Sequence, residues 1–227
     1  MAQAIETPTK SRAPRKAKPG GWLKDVTFPK LVVFVNSLVP LLLLLWDFSR
    51  GRLGADPLDV VTSATGTLAL VFLLLSLAVT PLRKLTGWNS LVKQRRQLGL
   101  FAFFYCLLHL AVYLIFDKAL RLDEIATDLY RRPFILVGTL AFLLMTPLAV
   151  TSTNSWIKRL GGKRWSRLHK LAYPCAGLAV LHYYLLVKSD TTKPLVYAAL
   201  LALLLGYRFV VSRMNAAAPP PTLAPRR

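Results

Sequence analysis

The sequence predicts an all-α fold, a six-helix transmembrane bundle typical of a polytopic membrane protein. Hydrophobic residues make up 54% of the 227 residues and the mean hydropathy is +0.45, which is too apolar for a soluble domain of this length. Six stretches approach the roughly 20 apolar residues that a helix needs to cross a bilayer. Charged residues fall almost entirely between these stretches or at the termini. A soluble helical bundle, the alternative, would need a polar face on each helix, and stretches such as LVPLLLLLW have none.

The six expected spans divide the chain into one membrane domain and two polar ends. They are 29–48, 58–80, 98–116, 134–151, 168–187 and 194–212. The flanking segments, rich in Pro and basic residues, predict a disordered arm over 1–28 and a disordered tail over 213–227, around a membrane domain at 29–212. The arm lacks the apolar core of a signal peptide. We therefore expect no second folded domain.

The distribution of charge predicts the orientation in the membrane. Of the 30 Lys and Arg residues, 22 lie in the N-terminal region, the 81–97 and 152–170 loops and the C-terminal tail. The other three loops hold eight basic residues and eight of the ten acids. Because basic loops stay in the cytoplasm, both termini are expected there. The same rule explains the net charge of +20 without nucleic acid, whose recognition needs a basic face on a soluble module.

The three histidines are the strongest functional signal, because imidazoles within apolar spans are costly unless they have a partner. With both termini on one side, the third and fifth spans enter from the same face. His109 and His182 then lie about 12 and 14 residues along them, or roughly 18–21 Å deep. Two imidazoles at one depth on facing helices predict the axial ligands of a heme iron. No CxxCH motif is present, so the heme is expected to be non-covalent heme b. Gly99, Gly138 and Gly177 either give space to a macrocycle or serve ordinary helix packing.

His169 lies 13 residues before His182, about 20 Å lower on a straight helix, so it is not expected to share that iron. Its counterpart at that depth on the third span is near Arg96, so a second bis-histidine heme is not indicated. Three roles stay open for His169: an axial metal ligand, a contact to a propionate or a quinone, or a helix cap. Cys106 and Cys175 lie within spans and are expected to be small apolar fillers.

Three motifs carry a family resemblance over about 22–212. TPLR closes the second span, RRQLGL opens the third with a histidine downstream, and WSRLHKLAY is followed by HY. This pattern resembles the MsrQ (YedZ) family, heme-binding membrane subunits of the bacterial periplasmic methionine-sulfoxide reductase system, within the ferric-reductase-like transmembrane group. The family's three histidines match His109, His169 and His182 in order and spacing.

The resemblance implies electron transfer, with the substrate-reducing active site on a partner chain. Electrons would come from the quinone pool or a cytoplasmic FMN and pass through heme b to a periplasmic molybdopterin enzyme that reduces methionine sulfoxide in oxidised proteins. Ferric reductases usually add a flavin and NADPH domain, and this chain ends fifteen residues after the sixth expected span, so we expect another molecule to supply the electrons. A stand-alone ferric reductase is the alternative. An ion transporter would place carboxylates at the midplane, and no Asp or Glu lies there.

Two surfaces are candidates for the partners of this electron transfer. The periplasmic loops 49–57, 117–133 and 188–193 are expected to dock the reductase, with the mixed-charge middle loop as the first choice. On the other side, the amphipathic 152–170 segment offers cofactor-binding candidates for a quinone or a flavin phosphate. These candidates are Arg164, Trp165, Arg167 and Lys170. Membrane anchoring and the positive-inside rule explain the same residues equally well.

Overall fold

The computed structural model describes residues 24–217, and these form helices joined by short connections. The helices are α1 (Lys24–Ser49), α2 (Pro57–Thr86), α3 (Val92–Val112), α4 (Leu122–Arg131), α5 (Pro133–Val150), α6 (Asn154–Leu168), α7 (Ala172–Leu186) and α8 (Thr192–Ala217). The described part contains no strand, which confirms the all-α prediction. Most of the predicted arm and tail lies outside the described residues, and helix extends past the expected edges of the membrane domain at both ends.

Five helical stretches are long and apolar enough to cross a membrane, which confirms a multi-pass membrane protein. They are Lys30–Ser49, Pro57–Thr86, Asn89–Asp117, Pro133–Val150 and Thr192–Met214. The remaining expected span, 168–187, consists of a 3₁₀ turn at His169–Leu171 and the 15-residue α7. At about 1.5 Å per residue α7 is about 22 Å long, short of a full hydrocarbon core. The count of six spans therefore stays a prediction.

Local sequence explains where α2 begins and ends. Asp56 caps its first turn by accepting a hydrogen bond from the Asp59 amide at 3.0 Å, and Pro57 opens the helix where no amide donor is needed. Gly87 ends it with a left-handed φ of 73°, and the Gly87 N–H donates to the Arg83 carbonyl. These signals lengthen the helix beyond the expected 58–80 at its C-terminal end.

Two helices lie in segments that the hydropathy pattern treated as loops. α4 occupies the middle of the predicted 117–133 loop, and α6 occupies most of 152–170. Both are too polar to appear as apolar runs. Between α3 and α4 the chain forms a π-helical turn at Tyr113–Asp117. After this turn, Ala119 and Leu120 adopt positive φ values of 48° and 58°. Such strained backbone is uncommon for residues other than glycine.

The core is built from two helix pairs, α2 with α3 and α5 with α7, with α8 packed on α2 and α7. Tyr105 and Phe72 stack at 5.4 Å between ring centroids, and the buried Tyr105 hydroxyl donates to the Ser37 carbonyl of α1 at 2.6 Å. The alternation of helix direction places α4 at one end of the bundle and α6 at the other. We call these the α4 end and the α6 end.

Candidate functional site: a paired-histidine centre

His109 of α3 and His182 of α7 lie beside each other toward the α4 end. Their ring centroids are 6.1 Å apart and the ring planes are inclined by 79°. Both side chains are partly buried. The equal depth expected for these two histidines is thus accompanied by direct proximity, although 73 positions separate them in the chain.

Each of the two rings is held by a backbone carbonyl of the neighbouring helix. His109 Nδ1 lies 2.9 Å from the Thr62 carbonyl of α2, and His182 Nδ1 lies 2.7 Å from the Phe134 carbonyl of α5. A carbonyl only accepts, so each Nδ1 must carry the proton and donate. In a neutral imidazole this leaves the Nε2 lone pair available as a metal ligand. The second hydrogen bond fixes the tautomer and the ring orientation, as is usual for metal-binding histidines.

A glycine lies one helical turn after each accepting carbonyl. A Cβ on Gly66 would lie 3.0 Å from His109 Nδ1, and one on Gly138 would lie 2.7 Å from His182 Nδ1. Residues four apart share a helix face, so a side chain at either position would block the approach of the imidazole to the carbonyl. Glycine is therefore required here for close approach. From the sequence, Gly138 was expected to give space to a macrocycle or to helix packing, and Gly66 was missed. Gly99 and Gly177 have no atom within 4 Å of the added Cβ.

The spacing of the two rings fits one metal ion between them. A metal–imidazole bond is about 2 Å and the ring centre lies about 1 Å behind the ligating nitrogen, so two imidazoles on opposite sides of one ion have centroids about 6 Å apart. The observed separation is 6.1 Å. Within residues 24–217 no group of three or more His, Cys, Asp or Glu could chelate a metal. A metal at this pair would thus need its other ligands from elsewhere.

His169 has a separate environment at the α6 end. Its ring stacks on Trp165 with 3.9 Å between centroids, and its Nδ1 lies 3.2 Å from the Trp165 carbonyl. The Trp165 indole N–H donates to the Thr151 carbonyl at 2.9 Å, and His169 Nε2 has a marginal 3.5 Å contact with Ser152 Oγ. These contacts tie α6 to the end of α5. They do not bring His169 into the paired centre.

The basic residues predicted to bind a cofactor are exposed, whereas another arginine, Arg208, is partly buried. Arg164, Arg167 and Lys170 are all exposed, and only Trp165 of that set is partly buried. The fold instead half-buries Arg208 of α8, whose Nη atoms donate to the Leu77 carbonyl at 2.6 Å and the Tyr173 hydroxyl at 2.9 Å. The signal missed in the sequence was an arginine late in an apolar span, which is costly without partners.

We call each histidine of the pair, together with its carbonyl partner and the glycine beside it, a half-site. At the α4 end, Asp128 connects the segments that carry the two half-sites. Its carboxylate lies 3.0 Å from Lys118 Nζ and 3.1 Å from Arg132 Nε, and accepts a hydrogen bond from the Tyr113 hydroxyl at 3.0 Å. Tyr113 lies one turn after His109, and Arg132 lies two residues before Phe134, whose carbonyl holds His182. The aspartate therefore links the end of α3 to the start of α5. The sequence indicated a mixed-charge loop here but not this junction.

The charges of this junction stabilise one another. Hydrogen bonding to Asp128 raises the pKa of Lys118 above its ordinary value, against the opposing effect of burial. Burial favours the neutral form of Asp128, but hydrogen bonds from Lys118 and Tyr113, together with the charge of Arg132, hold its pKa below the usual value. Both groups are thus charged at neutral pH.

Comparison with known proteins agrees with this architecture. The family described as "Ferric reductase like transmembrane component" matches residues 65–180, which include His109, Gly66, Phe134 and Gly138 and end two residues before His182. The chain is 49% identical over 192 residues to "Protein-methionine-sulfoxide reductase heme-binding subunit MsrQ" of Rhodospirillum rubrum, covering 84% of this chain and 92% of the relative. The protein of the same name in Herminiimonas arsenicoxydans is 45% identical over 186 residues, covering 81% and 85%.

A further relative has a different context. "Magnetosome protein MamZ" of Magnetospirillum gryphiswaldense is 46% identical over 186 residues, which is 79% of this chain but 29% of that protein. The similarity therefore concerns one part of a longer protein. The paired histidines agree with this similarity. Because of the family match and the MsrQ relatives, this chain belongs to the MsrQ family of the ferric-reductase-like transmembrane group.

Proposed function

We propose that the protein is a transmembrane electron-transfer subunit that holds one heme b between His109 and His182. The observation that carries the proposal is the 6.1 Å separation of two imidazoles whose Nδ1 atoms are both bound to backbone carbonyls. The names of its relatives, heme-binding subunits of a methionine-sulfoxide reductase, support the choice of cofactor. A porphyrin supplies four ligands to its iron, which is what a pair of protein ligands requires. When bound, the heme would carry one electron at a time.

The protein's own residues have defined parts in this proposal. The Thr62 and Phe134 carbonyls keep each imidazole in the tautomer that presents Nε2, and they increase the basicity of the ring. Gly66 and Gly138 leave room for the rings to reach those carbonyls. Asp128 keeps the ends of α3 and α5 together. Two axial histidines favour electron transfer over chemistry on a substrate at the iron.

The direction of electron flow follows from the proposed orientation. With the basic α6 end in the cytoplasm of a bacterium, the paired centre lies in the outer half of the inner membrane. A quinone, or FMN bound near Arg164, Trp165, Arg167 and Lys170, would donate electrons at the α6 end. A periplasmic molybdopterin-dependent methionine-sulfoxide reductase would accept them at the α4 end.

The surface around α4 supports its use for docking. Tyr130 is 91% exposed and Leu122 is 78% exposed, beside the charged residues Asp123, Glu124 and Arg131. Exposed apolar side chains with charges of both signs are common features of transient protein interfaces. This surface is covalently continuous with the start of α5, where the Phe134 carbonyl holds His182.

The ligand assignment is tested by optical spectra of the purified protein, expressed with ample heme. We expect a reduced-minus-oxidised b-type spectrum in the wild type and its near-complete loss in His109→Ala and in His182→Ala. His169→Ala is the matched control, because it removes an imidazole outside the pair, and it should keep the spectrum. Full spectra in both pair variants would refute the assignment.

The acceptor is tested by reoxidation of the reduced protein. The alternative function, a stand-alone ferric reductase, uses a similar scaffold and differs in its acceptor. Rapid mixing with a periplasmic methionine-sulfoxide reductase should oxidise the heme faster than ferric citrate does. Equal rates with both acceptors would favour the alternative.

A further inference from the structure

A cavity of about 280 Å³ lies between α2 and α8 at the α6 end, away from the paired histidines. Two cations and three hydroxyl groups line it, with one apolar residue. The lining residues are Thr80, Lys84, Tyr207, Arg208, Val211 and Ser212. Ammonium, guanidinium and hydroxyl donors together are the groups that proteins use to bind phosphate. The composition of this cavity therefore suits a phosphate better than an apolar ligand.

The guanidinium of Arg208 is held in a fixed position at this cavity. Its two Nη atoms donate to the Leu77 carbonyl and the Tyr173 hydroxyl, and it lies 5.4 Å from the centre of the Tyr173 ring. Its Nε is buried and has no hydrogen-bond partner among the described residues. A buried donor on a charged group is costly to leave without an acceptor.

No described carboxylate neutralises this charge. All four ion pairs found within residues 24–217 involve acids at the α4 end: Asp117, Glu124 and Asp128. The sequence has no Asp or Glu between Asp59 and Asp117, or after Asp190, so α2 near the cavity and α8 carry none. Arg95 lies near enough to Arg208 to add to the positive potential. Two partly buried arginines beside the exposed Lys84, without a described counter-charge, favour binding of an anion.

The position of the cavity indicates where the anion comes from. Thr80 and Lys84 lie in the last two turns of α2, and Arg208 lies 16 residues after Thr192, about 24 Å along α8. The cavity therefore lies near the α6 end of both helices, where we expect the cytoplasmic headgroups. Around the cavity, Leu82, Phe209 and Val210 are exposed on the outer faces of the same helices, where acyl chains would contact them.

We propose that this cavity binds the phosphate group of an anionic phospholipid and that the lipid joins α2 to α8. Lys84 and Arg208 bind the phosphate, and the Thr80 and Ser212 hydroxyls add hydrogen bonds. Basic pockets between transmembrane helices on the cytoplasmic side are typical sites for such headgroups. The inference does not depend on heme binding, because the cavity and the paired histidines share no residue.

Native mass spectrometry of the full-length protein, released from nanodiscs of phosphatidylglycerol and phosphatidylcholine, tests the proposal. We expect the wild type to retain phosphatidylglycerol selectively. Lys84→Gln should weaken this retention about fivefold, the effect of one basic residue near the headgroups. Lys93→Gln is the matched control, since it removes an exposed lysine at the same end that does not line the cavity. Arg208→Gln should weaken retention further, and the circular dichroism of each variant reports folding.

Two results would overturn the lipid assignment. One is equal retention of phosphatidylglycerol by the wild type and the Lys84→Gln variant. The other is displacement of the lipid by inorganic phosphate or FMN, with the same dependence on Lys84, because the cavity would then belong to a soluble phosphate. Because the Lys84 side chain is exposed, we expect Lys84→Gln to fold like the wild type, so a change in lipid retention reports the loss of the charge.

Discussion

In the α2–α3 pair, His109 Nδ1 lies 2.9 Å from the Thr62 carbonyl and a Cβ on Gly66 would approach it to 3.0 Å. In the α5–α7 pair, the corresponding distances for His182 are 2.7 Å to the Phe134 carbonyl and 2.7 Å to a Cβ on Gly138. The hydrogen bonds span 47 and 48 residues of sequence, and each glycine follows its carbonyl by four positions. The same arrangement of histidine, carbonyl and glycine thus occurs twice, and the glycine lies closer to the imidazole in the second half-site.

The two half-sites differ in their neighbours as well as in clearance. The end of α3 bends through a π-helical turn after His109, and its Tyr113 hydroxyl donates to Asp128. The start of α5 follows directly from Arg132, which binds the same carboxylate. A π-helical turn often accompanies a functional site because it changes the direction of a helix face. The space around each ring is thus set within each helix pair, while Asp128 links the end of α3 to the start of α5.

The largest effect on heme retention is expected from Gly138→Ala. Real Cβ atoms essentially never approach to 2.7 Å, and the His182 ring cannot move away without losing its bond to Phe134. Heme retention should fall by about tenfold or more, as for loss of an outer-shell partner of a metal ligand. The heme-to-protein ratio of the purified variant measures it. Gly177→Ala is the control, because a Cβ on this α7 residue would meet no atom within 4 Å, and it should retain heme. Full heme retention in Gly138→Ala would show that the glycine is not needed at position 138.

Gly66→Ala should give a smaller loss. The 3.0 Å contact requires the His109 ring to move by a few tenths of an ångström, which corresponds to mild overpacking of about 1–2 kcal/mol. We expect partial heme retention and a perturbed spectrum. Gly99→Ala, also beside no atom within 4 Å, is the control. A loss equal to or greater than that of Gly138→Ala would reverse the ranking of the two half-sites.

Asp128→Asn should loosen both half-sites together. It removes the charge that binds Lys118 and Arg132, and we expect a stability loss of about 2–3 kcal/mol. Thermal unfolding in detergent, followed by the heme absorbance, measures the change. Asp123→Asn, an exposed change on the same helix, is the control. Loss of one half-site alone would argue against Asp128 as their common link.

The same aspartate predicts a pH dependence. Because the folded pKa of Asp128 lies below the value for a free aspartate, about 3.9, its contribution is present at neutral pH and disappears as the pH falls through the folded pKa. Because the pKa of Lys118 is raised, its contribution disappears only as the pH rises past that value. Wild-type stability should therefore fall at strongly acidic pH, and this step should be reduced in Asp128→Asn. Identical acid profiles would contradict the prediction.

A smaller loss of stability than in Asp128→Asn is expected from Tyr113→Phe. This change removes one hydrogen bond to a charged group and leaves the ion pairs of Asp128 in place. We expect a loss of about 1.5 kcal/mol, measured by the same thermal unfolding. An unchanged unfolding temperature would show that the Tyr113 hydroxyl does not contribute to the junction at Asp128.

Features that depend on residue type along the chain could be predicted. Long apolar runs require helices in a membrane, because every backbone polar group must be satisfied within the segment. The depths of His109 and His182 followed from helix rise and from the side on which each span begins. The alternation of charge between loops, which predicts the orientation, is likewise visible without coordinates. These properties depend on single residues or on sums over one segment, so they can be derived from the sequence alone.

Features that depend on which helix faces meet could not be predicted. The contact of Gly66 with His109, the carbonyl partners of both imidazoles and the Asp128 junction join residues far apart in the chain. Short polar helices such as α4 also escape a hydropathy pattern, because their stability comes from packing at the end of the bundle. The sequence thus established a helical membrane protein with two histidines at one depth. The packing of α2 on α3 and of α5 on α7 determined that these rings approach each other with both Nδ1 atoms bound to backbone carbonyls, because side-chain proximity depends on the rotation of each helix about its axis.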